Sequence, residues 1–306
     1  MRKRVARRRW PVELWLGLVL TGGLILVALL APALSPMDPE QQHHTLQRGA
    51  ETILSPFPPG PEFWLGSDFL GRDLLSRLLW GARPTLVICV AVLFTRMLLG
   101  TVLGVLAGWC GGWLDEQVMM LTGWSTAFPS LLLAIVAMEV LGGHTKPTMF
   151  VLALCLVGWA EVATFVRHQV QSISHAPYVE GARALGCGSM DILRCHVLPN
   201  LAPSLWPLAA LEASSVLLLV AELGFLGYFI GGGLSVEVLK GVNATSGSIR
   251  VDRIPEWGQM VGAGRERMLN EPWILLGPGA GFALAVLGLN LLGEGPRQVR
   301  DPLRKR

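Results

Sequence analysis

Charge is scarce in this chain. Only 15% of its 306 residues are Asp, Glu, Lys or Arg, where a soluble domain carries about 25%. Four are lysines (Lys3, Lys146, Lys240 and Lys305), and none closes a glycine-rich phosphate-cradling pattern with Ser or Thr behind it. That excludes a P-loop ATPase. There is no paired His/Glu zinc pattern and no Gly-x-Ser-x-Gly elbow, which closes the metalloprotease and α/β-hydrolase readings. The six histidines are scattered. Adjacent His43 and His44 read as a solvated loop pair, with a metal contact as the rival reading. The five cysteines (89, 110, 155, 187 and 195) are odd in number and show neither zinc nor redox spacing. No disulfide framework follows, and Cys89 and Cys155, inside apolar runs, read as small buried hydrophobes.

Apolar sequence dominates: 52% of residues are hydrophobic and the mean hydropathy is +0.50. Six apolar runs, at about 14–34, 85–109, 117–140, 147–166, 204–230 and 273–292, are long enough to cross a bilayer as helices. The fold class expected is all-α, a polytopic membrane protein with six transmembrane helices in one domain. Pro129 is expected to kink the third span, tolerable where neighbours resatisfy the backbone. The basic start followed by an apolar run mimics a signal peptide, but the run is too long and lacks a clear cleavage site, so it reads as a retained first span. Six of the first nine residues and five of the last ten are Arg or Lys. Beside membrane spans, these set orientation rather than bind nucleic acid. With the N-terminus inside, fourteen basic residues lie in the cytoplasm and ten outside, nine of the ten in two long loops where the rule is weaker. Gly100, Gly104 and Gly108 line one helical face, and Gly277, Gly281 and Ala285 repeat the spacing. They read as close helix contacts, with a moving contact as the rival.

The loop between the fourth and fifth runs is polar and punctuated by glycine. From Tyr178 to Asn200 it reads as two short helices: Pro177 in a first turn, Gly186 and Gly188 as the break, Ser189 capping the second helix with Asp191 in its first turn, and Pro199 ending it. Glu180, Ala182, Gly186, Leu198 and Pro199 also stand at the spacings of the cytoplasmic loop of importer-type ABC permeases. That loop reads Glu-Ala-Ala, three residues, Gly, nine residues, an apolar residue, one residue, Leu-Pro. Gly181 and His196 depart from it, and His196 with the following Val-Leu-Pro-Asn resembles the dipeptide/oligopeptide/nickel branch.

Two further segments resemble the same branch. Gly66, Asp68, Gly71, Arg72, Asp73, Ser76, Arg77, Gly81, Ala82 and Arg83 match its signature ahead of the second span. Asp68, Arg72, Asp73 and Arg77 alternate in sign at helical spacing. An amphipathic helix on the outer membrane surface is expected here, its Leu74, Leu75, Leu78 and Leu79 toward lipid or the bundle. It is a candidate gate or seat for an extracytoplasmic partner, or an ion-paired element orienting the second span. Pro255-Glu-Trp-Gly-Gln-Met260, followed by Pro272-Trp273, matches a pattern ahead of the last span, and both tryptophans suit the membrane interface. The stretch 231–253 has no assigned role, and the sequon at Asn243 reads as chance. Of the acidic residues near apolar runs, Glu139 and Glu161 read as solvated at span ends. Glu212 and Glu222 face the bundle, lining a translocation path, pairing with Arg96 or capping broken backbone.

The resemblance implies an importer-type ABC permease bundle. Its parts are a basic cytoplasmic N-terminus (1–13), a first span (14–34), an extracytoplasmic segment with the amphipathic helix (35–84), a permease core of five spans with its coupling loop near 167–203 (85–293), and a basic cytoplasmic tail (294–306). It implies a multi-pass inner (plasma) membrane protein with both termini cytoplasmic. The implied partners are a homologous permease, one or two ATPase subunits and an extracytoplasmic solute-binding protein. Such a chain is no enzyme and binds no cofactor; ATP and magnesium sit on the partner subunits. Glu180, Ala182, Arg183, Leu185, Gly186, Asp191, Leu198 and Pro199 would carry the coupling, and the default substrate is a di- or oligopeptide, with nickel or another small solute as the alternative. An ATP-independent transporter and a non-transporting scaffold are the rival classes; the first predicts broken helices repeated in two halves, and no inverted repeat is visible.

Overall fold

The computed structural model describes residues 12–48, 51–142, 146–229, 234–238, 247–251 and 255–300. The two basic ends, for the most part, and the Asn243 sequon lie outside the described residues. Helix α1 (Val12–Leu34) is followed by a short hairpin of β1 (Thr45–Arg48) and β2 (Glu51–Leu54). Then come α2 (Leu74–Cys110), α3 (Gly112–Thr126), α4 (Ser130–Leu141), α5 (Pro147–Cys155) and α6 (Trp159–Ser174). Two short helices, α7 (Pro177–Ala184) and α8 (Ser189–Ile192), lead through a π-helical turn at Leu193–Val197 into α9 (Leu198–Leu226). A second hairpin, β3 (Leu234–Val238) and β4 (Gly247–Val251), falls within the unassigned stretch, and α10 (Trp257–Arg265) and α11 (Trp273–Arg300) complete the described chain. Among the described residues five helical stretches are long and apolar enough to cross a membrane, and α3 with α4, bent by 91° at the break between them, makes a sixth if the pair counts as one span.

Helix α2 starts eleven residues before the expected span because Asp73 caps it. The Asp73 carboxylate accepts from the Ser76 amide at 2.8 Å and the Ser76 hydroxyl at 2.6 Å. Pro84 therefore falls inside the helix, where side chains bond the carbonyls of the adjoining turns: Thr85 Oγ1 donates to Gly81 O and Trp257 Nε1 to Leu78 O, each at 2.8 Å. Pro32 similarly lies inside α1 and offers no N–H to Ala28 O. Arg83 supplies the missing donor: its Nε reaches Ala28 O and its Nη2 reaches Leu29 O at 2.7 Å.

Glycine sets the closest helix contact. A side chain at Gly100, Gly104 or Gly108 would drive its Cβ to 2.5, 2.8 and 2.9 Å from the Cβ atoms of Val162, Val166 and Val170. The glycine stripe of α2 and a valine stripe of α6 thus form one seam. Gly277 and Gly281 are looser, with Leu65 at 3.8 Å and Leu78 at 3.2 Å from the corresponding points. A large apolar core joins α2, α4, α5, α9, α10 and α11, and a smaller one gathers α6, α7, the π turn and α9 around Val166, Val179, Ile192 and Val197. Outward-facing Val87, Phe94, Val140 and Trp124 are exposed, the pattern of helices that meet lipid or another apolar partner.

Candidate functional site

The loop between α6 and α9 folds into a projecting knob. Pro177 opens α7 at a position that needs no N–H. Gly186, at φ +83°, closes it in a Schellman motif: Cys187 N donates to Ala182 O at 3.1 Å and Gly186 N to Arg183 O at 3.0 Å. Val179, Ala182, Ile192 and Val197 point inward and are buried. Glu180, Arg183, Leu185, Gly186 and Asp191 are exposed, Leu185 by 87%. Among the residues proposed from sequence, Ala182 therefore faces the bundle, not the outside.

Two sequence expectations are corrected here. Ser189 does not cap α8; extended Gly188 holds the cap position and Ser189 is the first helical residue. Pro199 does not end the helix. The turn before it is wide, with Leu198 N bonded five residues back to Leu193 O, which makes room for the proline ring and its absent donor. Leu198 and Pro199 form the exposed first turn of α9.

At the opposite end the expected surface helix is absent. Asp68 and Arg72 sit in a turn, Asp73 is the cap of α2 and Arg77 lies within α2. The reason is glycine: Gly66 (φ +80°) and Gly71 (φ +73°) adopt left-handed backbone, and a side chain at Gly71 would collide with the His43 backbone. All four charged residues are buried. Asp68 Oδ2 accepts from Arg72 Nε at 2.7 Å and lies 3.7 Å from Arg77 Nε, while its Oδ1 accepts two amides, Leu70 and Arg72. Arg77 also donates to Pro39 O at 3.4 Å. The cluster abuts α10 across a cavity of about 20 Å³ that Gln259 lines, room for one water. Trp257 is buried, donating its amide to Thr85 Oγ1 at 3.2 Å; Trp273 donates to Ser67 O at 3.4 Å. The two signature segments that resemble one family thus meet at the N-terminal end of α2, and the third lies at its C-terminal end.

Between them, buried Arg96 of α2 donates through Nε and Nη2 to Leu154 O at 3.1 and 2.9 Å. That carbonyl lies at the break between α5 and α6, where Gly158 takes φ +89° against the guanidinium. The fourth expected span is therefore two helices with a polar joint. Arg96 Nη1 lies 3.7 Å from Glu212 Oε2, so Glu212 pairs with Arg96. Glu222 instead lines a polar cavity of about 140 Å³ with Arg96, Ser130, Glu161 and Ser215, and also an open apolar groove of about 550 Å³ beside Phe225 and Phe282. Glu139 accepts from the Tyr228 hydroxyl at 2.8 Å, which pushes the phenol above its usual range. His43 packs edge-on against Phe63 while His44 is exposed, and among the described residues no three His, Cys, Asp or Glu side chains converge as a metal set.

Sequence reasoning missed three pairs. Asp115 and Arg167 form a two-armed ion pair joining α3 to α6, with Arg167 Nη2 to Asp115 Oδ2 at 2.6 Å. Arg183 stacks over Trp109, its Cζ 5.6 Å from the ring centroid. Tyr178 stacks on His196 at 6.3 Å. The first two join residues far apart in sequence, and their only local hint was a lone arginine in or beside an apolar run; Tyr178 and His196 stand 18 residues apart within one loop.

Comparison with known proteins places these features. The family described as binding-protein-dependent transport system inner membrane component matches residues 100–302. A dipeptide transport system permease of Alkalihalophilus pseudofirmus is 32% identical over 94% of this chain and 85% of its own. The nickel transport system permease of Escherichia coli K12 is 31% identical over 96% and 95%, and a glutathione transport system permease of Pectobacterium atrosepticum 31% over 92% and 84%. An inward-facing structure of the MetNI methionine ABC transporter superposes with a TM-score of 0.51 at 18% identity, covering 74% of this chain and 96% of that one, a likeness of fold.

Proposed function

This chain belongs to the binding-protein-dependent transport system inner membrane component family, as a permease subunit of the peptide/nickel branch of ABC importers, and we propose that it couples to separate ATPase subunits through the knob of α7 and α8 to import di- or oligopeptides. It is a multi-pass inner-membrane protein, and its relatives are permeases rather than enzymes. The observation that carries the coupling proposal is the knob's division of labour: a buried apolar underside and an exposed crown of Glu180, Arg183, Leu185 and Asp191. A surface so held has a fixed shape to offer a cleft. ATP and magnesium belong to the partner subunits. ATP-driven closure of the ATPase dimer pushes the knobs of this chain and of a homologous permease, opens the cavity between them outward to the solute-binding protein, and hydrolysis resets it.

Glu222 faces the translocation path in this reading, and Glu212 is a structural partner of Arg96. Carboxylates beside hydroxyls at a helix break suit the ammonium end of a peptide. Relatives named for dipeptide and glutathione transport support a peptide substrate; the relative named for nickel supplies the competing one.

The test is co-purification of the complete transporter, with Glu180→Ala/Gly186→Leu against wild type, and ATP-driven uptake of labelled dipeptide and of nickel in proteoliposomes. Leucine at the left-handed Gly186 position costs roughly 1–2 kcal/mol, so ATPase recovery is expected to fall about tenfold. Equal recovery and equal uptake would remove the knob from the mechanism, and nickel uptake without dipeptide uptake would replace the substrate.

A further inference from the structure

Arg183 is exposed on the flank of α7, yet its guanidinium is not loose. It lies over the ring of Trp109, Cζ 5.6 Å from the centroid, within cation–π range. Among the described residues its side chain makes no hydrogen bond or ion pair. With no hydrogen bond or ion pair made, the N–H donors of this guanidinium stay available to a partner. Trp109, in turn, cannot wander. It is the penultimate residue of α2, half-buried and packed on the small apolar core beneath the knob. The preceding Gly108 has no room for a Cβ, which would lie 2.8 Å from Arg167 O and 2.9 Å from Val170 Cβ. The ring is thus fixed by the glycine–valine seam of α2 and α6.

Helix α2 has 37 residues, about 55 Å at 1.5 Å each. Its outer end is capped by Asp73 and tied through Arg77 to the buried charge cluster; its inner end holds Arg183. We propose that Trp109 is a positioning residue for the knob: it holds Arg183 so that the guanidinium edge meets a carboxylate of the ATPase subunit, and it makes α2 the rod through which knob motion reaches the outer cluster. This rests on the reading of the knob as the ATPase contact.

The test uses the complete transporter in proteoliposomes and reads substrate moved per ATP hydrolysed. Trp109→Leu is expected to retain the ATPase through co-purification yet lose about fivefold in that ratio, about 1 kcal/mol. Trp109→Phe, which keeps an aromatic face, is expected to stay within about twofold of wild type. Arg183→Gln is expected to lose as much as Trp109→Leu, and the double variant no more than either, because both remove one interaction. An unchanged ratio in Trp109→Leu, equal losses in Trp109→Phe and Trp109→Leu, or additive losses in the double variant would each overturn the proposal. Should Trp109→Leu fail to reach the membrane, Arg183→Gln against Trp109→Phe decides: a loss confined to Arg183→Gln supports it, and a silent Arg183→Gln overturns it. Glu180→Ala/Gly186→Leu runs alongside. If that variant also behaves as wild type, the knob itself is misread; if it loses the ATPase while Trp109→Leu is silent, only the present inference fails.

Discussion

Gly104 and Gly123 are both helical glycines, and their surroundings give them opposite fates. A Cβ at Gly104 would fall 2.6 Å from Ala163 O and 2.8 Å from Val166 Cβ, whereas one at Gly123 meets nothing within 4 Å. Gly104→Val must part α2 from α6, an overpacking cost of about 1–3 kcal/mol. Gly123→Ala removes backbone freedom from the unfolded chain and is expected to stabilise by about 0.5–1 kcal/mol. Thermal unfolding in detergent checks the pair, and equal midpoints for the two variants would refute the seam. The four-residue glycine spacing was legible in the sequence, and so was Gly186, because both rest on local geometry. The partner of Arg96 was left among alternatives: Glu212 and Leu154 O lie 116 and 58 residues away in the chain, and only the packing of α9 and of the broken α5–α6 joint against α2 brings them to one guanidinium.

At the scale of elements, proline misled most. Pro84 and Pro199 read as boundaries, yet the chain runs helically through both, because donors outside the ladder or a wide π turn absorb the disturbance. Conversely Gly158, an unremarked residue in an apolar run, breaks a span that composition alone presents as continuous. The α1–α2 joint turns the same physics into a measurable claim. Ala28 O loses its helical donor to Pro32 and regains one from Arg83. Arg83→Ala leaves a carbonyl unpaired inside the membrane region and is expected to cost about 1–3 kcal/mol. In a Pro32→Ala background the helix regains the backbone N–H that proline lacks, and the same Arg83 substitution is expected to cost less than half as much. A double-mutant cycle by denaturant unfolding in micelles measures the difference; identical costs in the two backgrounds would show that Arg83 acts elsewhere, for instance through its stack on Trp80 at 5.4 Å.

For the whole molecule, orientation is the property on which import depends, and the chain carries its own reporters. Cys110, Cys187 and Cys195 are exposed, while Cys89 and Cys155 are buried in the bundle. Cys110 ends α2, and Cys187 and Cys195 flank α8, so all three belong to the end of the bundle that the basic residues assign to the cytoplasm. A membrane-impermeant maleimide is therefore expected to leave right-side-out vesicles unlabelled and to label inside-out vesicles at these three sites. With the knob as the proposed ATPase contact, Cys187 is expected to lose most of its labelling when the ATPase subunits are present, and Cys110, at the end of α2, to lose less. Labelling from the outer face would invert the topology, and with it the assignment of the knob to the ATPase and of the buried Asp68–Arg72 cluster to the side that receives the solute-binding protein. Inside-only labelling that the ATPase does not shield at Cys187 would keep the topology and move the coupling contact to another cytoplasmic surface.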